Sequence, residues 1–295
     1  MSGLLIPGSL ELALHEITLV AFTTLVPAGI LAFALLALVV GFAPGMGSAQ
    51  RARLWHWSAL PLFAALLGLV VSANHLGTPG NALYVFTGVG RSPLSNEVAA
   101  VSLALGAGGT FWLCSYASSC PTWLRRAWAA FDAAFCLLAV AMVAMAYDVP
   151  TILSWSGSLP AAEIWATGLA GAGPAVLLVI SLARAEAPLV RLRRFVLVGS
   201  ACCLVVSAGL AIAQGLAVAG MANAVAQGAV LLPLAWGAVA VYTLAGAGSL
   251  VLAWRSPRLR EPRAGLAIAC VLFLLGLFCL RFFFYLSHMT AGISL

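Results

Sequence analysis

The stretch ITLVAFTTLVPAGILAFALLALVV, residues 17–40, decides the fold. It carries no charged side chain. Wound as a helix it is long enough to cross a hydrocarbon layer of roughly 30 Å at about 1.5 Å per residue. Seven more runs of this kind follow, at approximately 55–73, 98–116, 127–146, 164–183, 195–217, 229–253 and 264–286. The chain of 295 residues is 63% hydrophobic and 7% charged, with a mean hydropathy of +1.10, which leaves too little polar surface for a water-soluble protein of this size. The expected fold is all-α, a polytopic membrane protein of eight transmembrane helices, because backbone amides in lipid must find their partners within the segment. Residues 1–295 read as a single membrane domain. Spans one to four and five to eight could form two four-helix bundles joined through the 147–163 loop. Pro61, Pro174 and Pro233 read as kinks or close-packing points rather than chain breaks.

The chain's fourteen basic residues are all arginine. Twelve fall in the loops after spans one, three, five and seven, at Arg51, Arg53, Arg125, Arg126, Arg184, Arg191, Arg193, Arg194, Arg255, Arg258, Arg260 and Arg263. The positive-inside rule makes that face cytoplasmic, and both termini and the 74–96, 147–163 and 218–228 loops then lie on the other side. The net charge of +6 is accounted for by topology, so nucleic-acid binding has no support. The N-terminus lacks a basic segment, carries Glu11 ahead of its first apolar run and does not read as a cleaved signal peptide. Residues 4–14 are expected along the membrane surface. The seven cysteines form no C-x-x-C or C-x-x-C-H, so the spacing offers neither an iron–sulfur site nor a covalent haem site, and no metal site is expected.

Against this apolar background two polar segments stand out, His75-Leu-Gly-Thr-Pro79 and Arg91-Ser-Pro-Leu-Ser-Asn-Glu97. Ionisable groups at the ends of apolar spans are costly, which makes a functional site the default hypothesis. Gly77 and Pro79 suggest a tight turn fixing His75, and Ser95-Asn96 offers an N-cap immediately before Glu97. An imidazole beside a carboxylate can pass protons in a two-proton redox reaction. The plainer readings are a histidine wetted by headgroups and a carboxylate favoured by the helix dipole. Arg91 is either an external-loop arginine or part of the site. Arg281 either snorkels to the interface or pairs with Glu97 or a ligand oxygen. The aromatics around it, Phe278, Phe282, Phe283, Phe284 and Tyr285, read as an interfacial belt. His15 shares a face with His75, but bis-histidine haem ligation calls for histidines set inside the spans. Apart from the arginine loops, the ionisable groups are read as concentrated at one membrane face. Gln214, Asn223 and Gln227 are the only marginal polar groups seen for a midplane transport site.

Taken together, these residues resemble the membrane-anchor, quinol-oxidising subunit of the dimethyl sulfoxide reductase family. The likeness runs from His15-Glu16 and Phe22-Thr23 through Asn74-His75-Leu76-Gly77-Thr78-Pro79 and Leu94-Ser95-Asn96-Glu97. It continues over Tyr147-Asp-Val-Pro150-Thr151 with Trp155 and closes on Arg281-Phe-Phe-Phe-Tyr285-Leu-Ser-His288-Met289-Thr290. The resemblance implies menaquinol oxidation, with His75 and Glu97 handling quinol and protons and Arg281, Arg91, His15 and Tyr285 as further quinol contacts. It implies no haem and no iron–sulfur cluster in this chain. Electrons would pass to an iron–sulfur subunit, and a molybdopterin catalytic subunit would reduce an S- or N-oxide, both docked on the non-cytoplasmic face of a bacterial or archaeal cytoplasmic membrane. One departure stands out: Gly88 precedes Val89-Gly90 where the family commonly has arginine, and Arg91 follows three residues later. The competing readings are a related polysulfide or nitrite-type reductase anchor, a secondary transporter and a passive structural anchor.

Overall fold

The computed structural model describes residues 8–75, 79–117, 119–223 and 226–290. Among them are ten α-helices: α1 (Ser9–His15), α2 (Ile17–Phe42), α3 (Ser48–Trp57), α4 (Ala59–Ser72), α5 (Pro93–Leu113), α6 (Thr122–Ala146), α7 (Ser158–Leu182), α8 (Val190–Ala219), α9 (Leu232–Arg255) and α10 (Pro262–Leu286). With α3 and α4 forming one broken span, eight helical segments are long and apolar enough to cross a membrane. No β-strand occurs among the described residues, only isolated bridges at Ile152–Thr290 and Ala222–Gln227.

Several helices outrun the hydropathy limits, because hydropathy registers the hydrocarbon-facing part of a helix and not its polar first turns. Span three starts at Pro93 rather than Val98, and span five at Ser158 rather than Ile164. Glu97 and Glu163 therefore stand inside helices. Pro61 leaves the Trp57 carbonyl without its i+4 donor, and the helix breaks at Ser58, whose hydroxyl bonds the Trp55 carbonyl at 2.6 Å. Pro174 lies inside α7, whereas Pro233 occupies the first turn of α9, where its missing N–H leaves no bond unmade.

Helices α2 and α7 are buried along most of their length and form the centre. α2 packs on α4, α6, α7 and α10, and α7 packs on α8 and α10 as well. α5 closes against α6 and α4, and α9 against α8 and α10. The α2–α7 seam is close because Gly168 meets Pro27: a Cβ built there would lie 3.0 Å from the proline side chain. At the arginine end, guanidiniums hold the terminal carbonyls of the helices that finish there. Arg51 bonds Ala43 O at 2.7 Å, Arg53 bonds Ala183 O at 3.0 Å and Arg193 bonds Ala253 O at 2.8 Å.

Candidate functional site

At the end opposite the arginines, the loop leaving α6 folds over the last turn of α10. Leu153 N donates to Met289 O at 2.7 Å, and Trp155 Nε1 donates to Phe284 O at 3.3 Å. The Trp155 indole stacks on Phe284 with centroids 5.1 Å apart and planes 13° apart. Phe283, Phe284 and Tyr285 are buried. The aromatic run is therefore mainly an inward-facing plug and not an interfacial belt, because this loop covers it.

Beneath the plug lies a polar cluster. Arg281 is 1% exposed, with Nη1 3.5 Å from Glu163 Oε1 and Nη2 donating to Thr167 Oγ1 at 2.6 Å. Glu163 and Thr167 are one turn apart on α7, so one guanidinium on α10 engages both. The Tyr285 hydroxyl donates to the Tyr147 hydroxyl at 2.6 Å, with Thr23 of α2 also beside Tyr285. Burial pushes the Tyr147 phenol well above its ordinary pKa, and the neighbouring Tyr285 and Glu97 push in the same direction. Glu97 is 3% exposed, and its Oε1 has no hydrogen-bond partner among the described residues. Snorkelling does not describe Arg281. The carboxylate it meets is Glu163 rather than Glu97.

The N-cap ahead of Glu97 is Ser92, three residues earlier than Ser95, because Pro93 is preorganised for the first helical position. Asn96 instead accepts the Gly90 N–H at 2.7 Å and ties down the loop before α5. Gly88 fits this loop tightly. A Cβ there would run into the Ser95 hydroxyl and come within 3.2 Å of Ser95 Cβ, so this backbone leaves no room for an arginine. Arg91 is exposed and bonds the Thr87 carbonyl at 2.7 Å, outside the buried cluster. His15 is exposed at the α1–α2 break, 3.5 Å from Glu16, and also stands outside the cluster. The backbone of His75 ends a 3-10 turn, Ala73–His75, while its side chain and Leu76–Thr78 lie outside the described residues.

Beside Glu97 is an apolar cavity of about 250 Å³, walled by Leu19 of α2, Leu69 and Ser72 of α4, Phe86 of the 3-10 segment Pro79–Gly88, and Leu94 and Val98 of α5. Leu94 and Val98 flank Glu97 in sequence, and Ser72 precedes the turn that ends at His75. No lining side chain is ionisable, and the cavity's polar groups are the Ser72 and Ser102 hydroxyls, so the chamber itself suits an apolar ligand.

Sequence reading placed Glu163 at this end without giving it a partner, and it missed Thr167 and Asp132. Glu163 and Thr167 were detectable as an acid and a hydroxyl one turn apart in an apolar run. Asp132, ten residues into α6, is fully buried, and neither carboxylate oxygen has a partner among the described residues. It contradicts the expectation that ionisable groups outside the arginine loops gather at one face. Gln214, Asn223 and Gln227 are not midplane groups either. Gln214 bonds the Ser154 carbonyl and Asn223 bonds Thr290 O at 3.1 Å, both at the plugged end, and Gln227 pairs with Ala222 in the α8–α9 loop.

Eight apolar spans, an arginine-capped end and a plugged end with a buried polar cluster define a polytopic membrane protein. Residues 10–286 match the DMSO reductase anchor subunit family (DmsC), and the chain belongs to that family. It is similar to the anaerobic dimethyl sulfoxide reductase chain YnfH of Escherichia coli (strain K12), at 30% identity over 289 residues covering 95% of this chain and 98% of that one. A second anaerobic dimethyl sulfoxide reductase chain of the same organism is 28% identical over 232 residues, 77% of this chain and 79% of that one. An anaerobic dimethyl sulfoxide reductase chain of Haemophilus influenzae is 28% identical over 160 residues, 54% of this chain and 56% of that one. The protein is thus the membrane anchor of a reductase complex.

Proposed function

We propose that this anchor binds and oxidises menaquinol at the cavity beside Glu97 and passes the electrons to an iron–sulfur subunit, which feeds a molybdopterin subunit reducing an S- or N-oxide. The partners dock on the plugged end, away from the arginines, and the complex sits in the cytoplasmic membrane of a bacterium or archaeon. The observation that carries the reading is the apolar cavity between α2, α4 and α5, whose wall residues Ala73 and Val98 lie two residues before His75 and one after the buried Glu97 in the chain.

Oxidation of one quinol releases two electrons and two protons. His75 accepts the proton of one quinol hydroxyl and passes it by way of Glu97 to the non-cytoplasmic side, and the proton of the second hydroxyl follows the same route as the second electron leaves. Arg281 acts at one remove: by holding Glu163 and Thr167 it fixes α10 against α7, and so sets Tyr285 and Tyr147 beside Glu97. Arg91 and His15, both exposed, are rim groups in this reading.

The test separates quinol oxidation from terminal reduction. His75→Gln and Glu97→Gln, each in the assembled complex, should lower quinol-dependent reduction by roughly 100-fold or more, the scale of a lost acid–base group. Reduction driven by a water-soluble artificial donor should stay unchanged. Undiminished quinol oxidation in both variants would overturn the proposal.

A further inference from the structure

A second apolar crevice, of about 350 Å³, opens between α2, α6, α7 and α8, where the first four spans meet the last four. Leu31, Leu35 and Leu38 of α2, Leu137 of α6, and Phe195 and Gly199 of α8 form much of its wall. Its polar lining amounts to the Ser200 hydroxyl and the Cys203 thiol, with no imidazole, carboxylate or guanidinium inside. It therefore suits a hydrocarbon chain.

Helical spacing decides what stands at the mouth. Arg191 precedes Phe195 by one turn of α8, and Arg126 precedes Ala133, another wall residue, by two turns of α6, so both share the crevice-facing side of their helices. Both are exposed. On α2, Phe42 follows Leu38 by one turn, and the Arg126 guanidinium lies over its ring at 6.0 Å from the centroid. Neither arginine is among those holding helix-terminal carbonyls. An apolar slot with two exposed guanidiniums one or two helical turns beyond its wall is complementary to an amphiphile with an anionic head.

We propose that this crevice is a binding site for an anionic phospholipid, with an acyl chain lying between α2, α6 and α8 and the phosphate held by Arg126 and Arg191. Basic residues where helices meet the anionic leaflet have this effect. The bound chain fills the gap between the two halves of the protein, so the lipid serves as a packing element of the fold.

The purified full-length chain should be equilibrated in detergent with phosphatidylglycerol and phosphatidylcholine of identical acyl chains, and retained lipid read by native mass spectrometry. One phosphatidylglycerol should be retained in preference to phosphatidylcholine by roughly tenfold to thirtyfold, the scale of two near-surface arginines. Arg126→Gln/Arg191→Gln should abolish the preference while leaving some retention of both lipids. Arg125→Gln/Arg194→Gln removes the same charge beside the site and should keep the preference. Gly199→Leu should abolish retention of both lipids, since a Cβ at Gly199 meets nothing within 4 Å and a larger side chain grows into open space. Equal retention of the two lipids by the unaltered chain would overturn the proposal. So would equal losses in the two arginine pairs, or a quinone displaced by Gly199→Leu in place of phospholipid.

Discussion

Removing the charge from Arg281 tests the buried network most sharply. Its Nη1 stands 3.5 Å from Glu163 Oε1 with both side chains almost wholly buried, which at an effective dielectric of about 20 corresponds to roughly 5 kcal/mol of attraction before desolvation is subtracted. Arg281→Met leaves Glu163 as an unpaired buried carboxylate and also takes the charged donor from Thr167. Breaking a buried pair on one side costs about 3–5 kcal/mol, and we expect Arg281→Met near 4 and Glu163→Gln near 3. The double variant leaves no orphaned charge and should return to within about 1–2 kcal/mol of the unaltered protein, because neutral groups in place of a buried ion pair are often tolerated. Unfolding in mixed micelles, followed by the fluorescence of the nine tryptophans, reads all three free energies. Single-variant losses that simply add in the double variant, to within about 0.5 kcal/mol, would refute the pairing.

Asp132→Leu should stabilise the same unfolding transition by roughly 1–3 kcal/mol, since it replaces a fully buried carboxyl that has no partner among the described residues; a net loss would mean that Asp132 has a partner in the folded membrane protein. Gly88→Ala should destabilise the 79–92 loop by about 1–3 kcal/mol through overpacking against Ser95, and Ser95→Ala should recover much of that loss, as read by protease protection of the loop. Burial lowers the His288 pKa below its ordinary 6.5, with Glu16 opposing the shift. The unfolded imidazole therefore takes its proton first. The stability this group contributes is full above about pH 6.5 and is lost as pH falls through the folded value, so His288→Phe should give a shallower acid limb in a stability-against-pH profile.

The spans were legible because hydrocarbon enforces a length and an apolar composition, and the arginine loops were legible because charge cannot hide in such a chain. Glu97, Arg281 and Tyr285 stood out as ionisable or hydroxyl groups near span ends, and all three are buried at the plugged end. What could not be read was pairing across helices. Arg281 meets Glu163 because α10 packs on α7, a tertiary fact with no local signature. The aromatic run after Arg281 has a belt's composition, and only the loop from Tyr147 to Trp155, folding back over it, turns it inward. Asp132 lies in a span that passes on average hydropathy, where one carboxylate barely lowers the mean. The tight seat of Gly88 depends on Ser95 approaching from the next helix, which no count along the chain reveals.

Quinol binding in the cavity walled by Leu94 and Val98 is what the proposed function stands on. Titrating a quinol analogue into the purified anchor, with Val98→Trp to fill the cavity and Glu97→Gln to remove the carboxylate charge, addresses it directly. We expect one analogue per chain for the unaltered protein, no binding to Val98→Trp and weakened binding to Glu97→Gln. Undiminished binding to a correctly folded Val98→Trp would contradict this placement of the site.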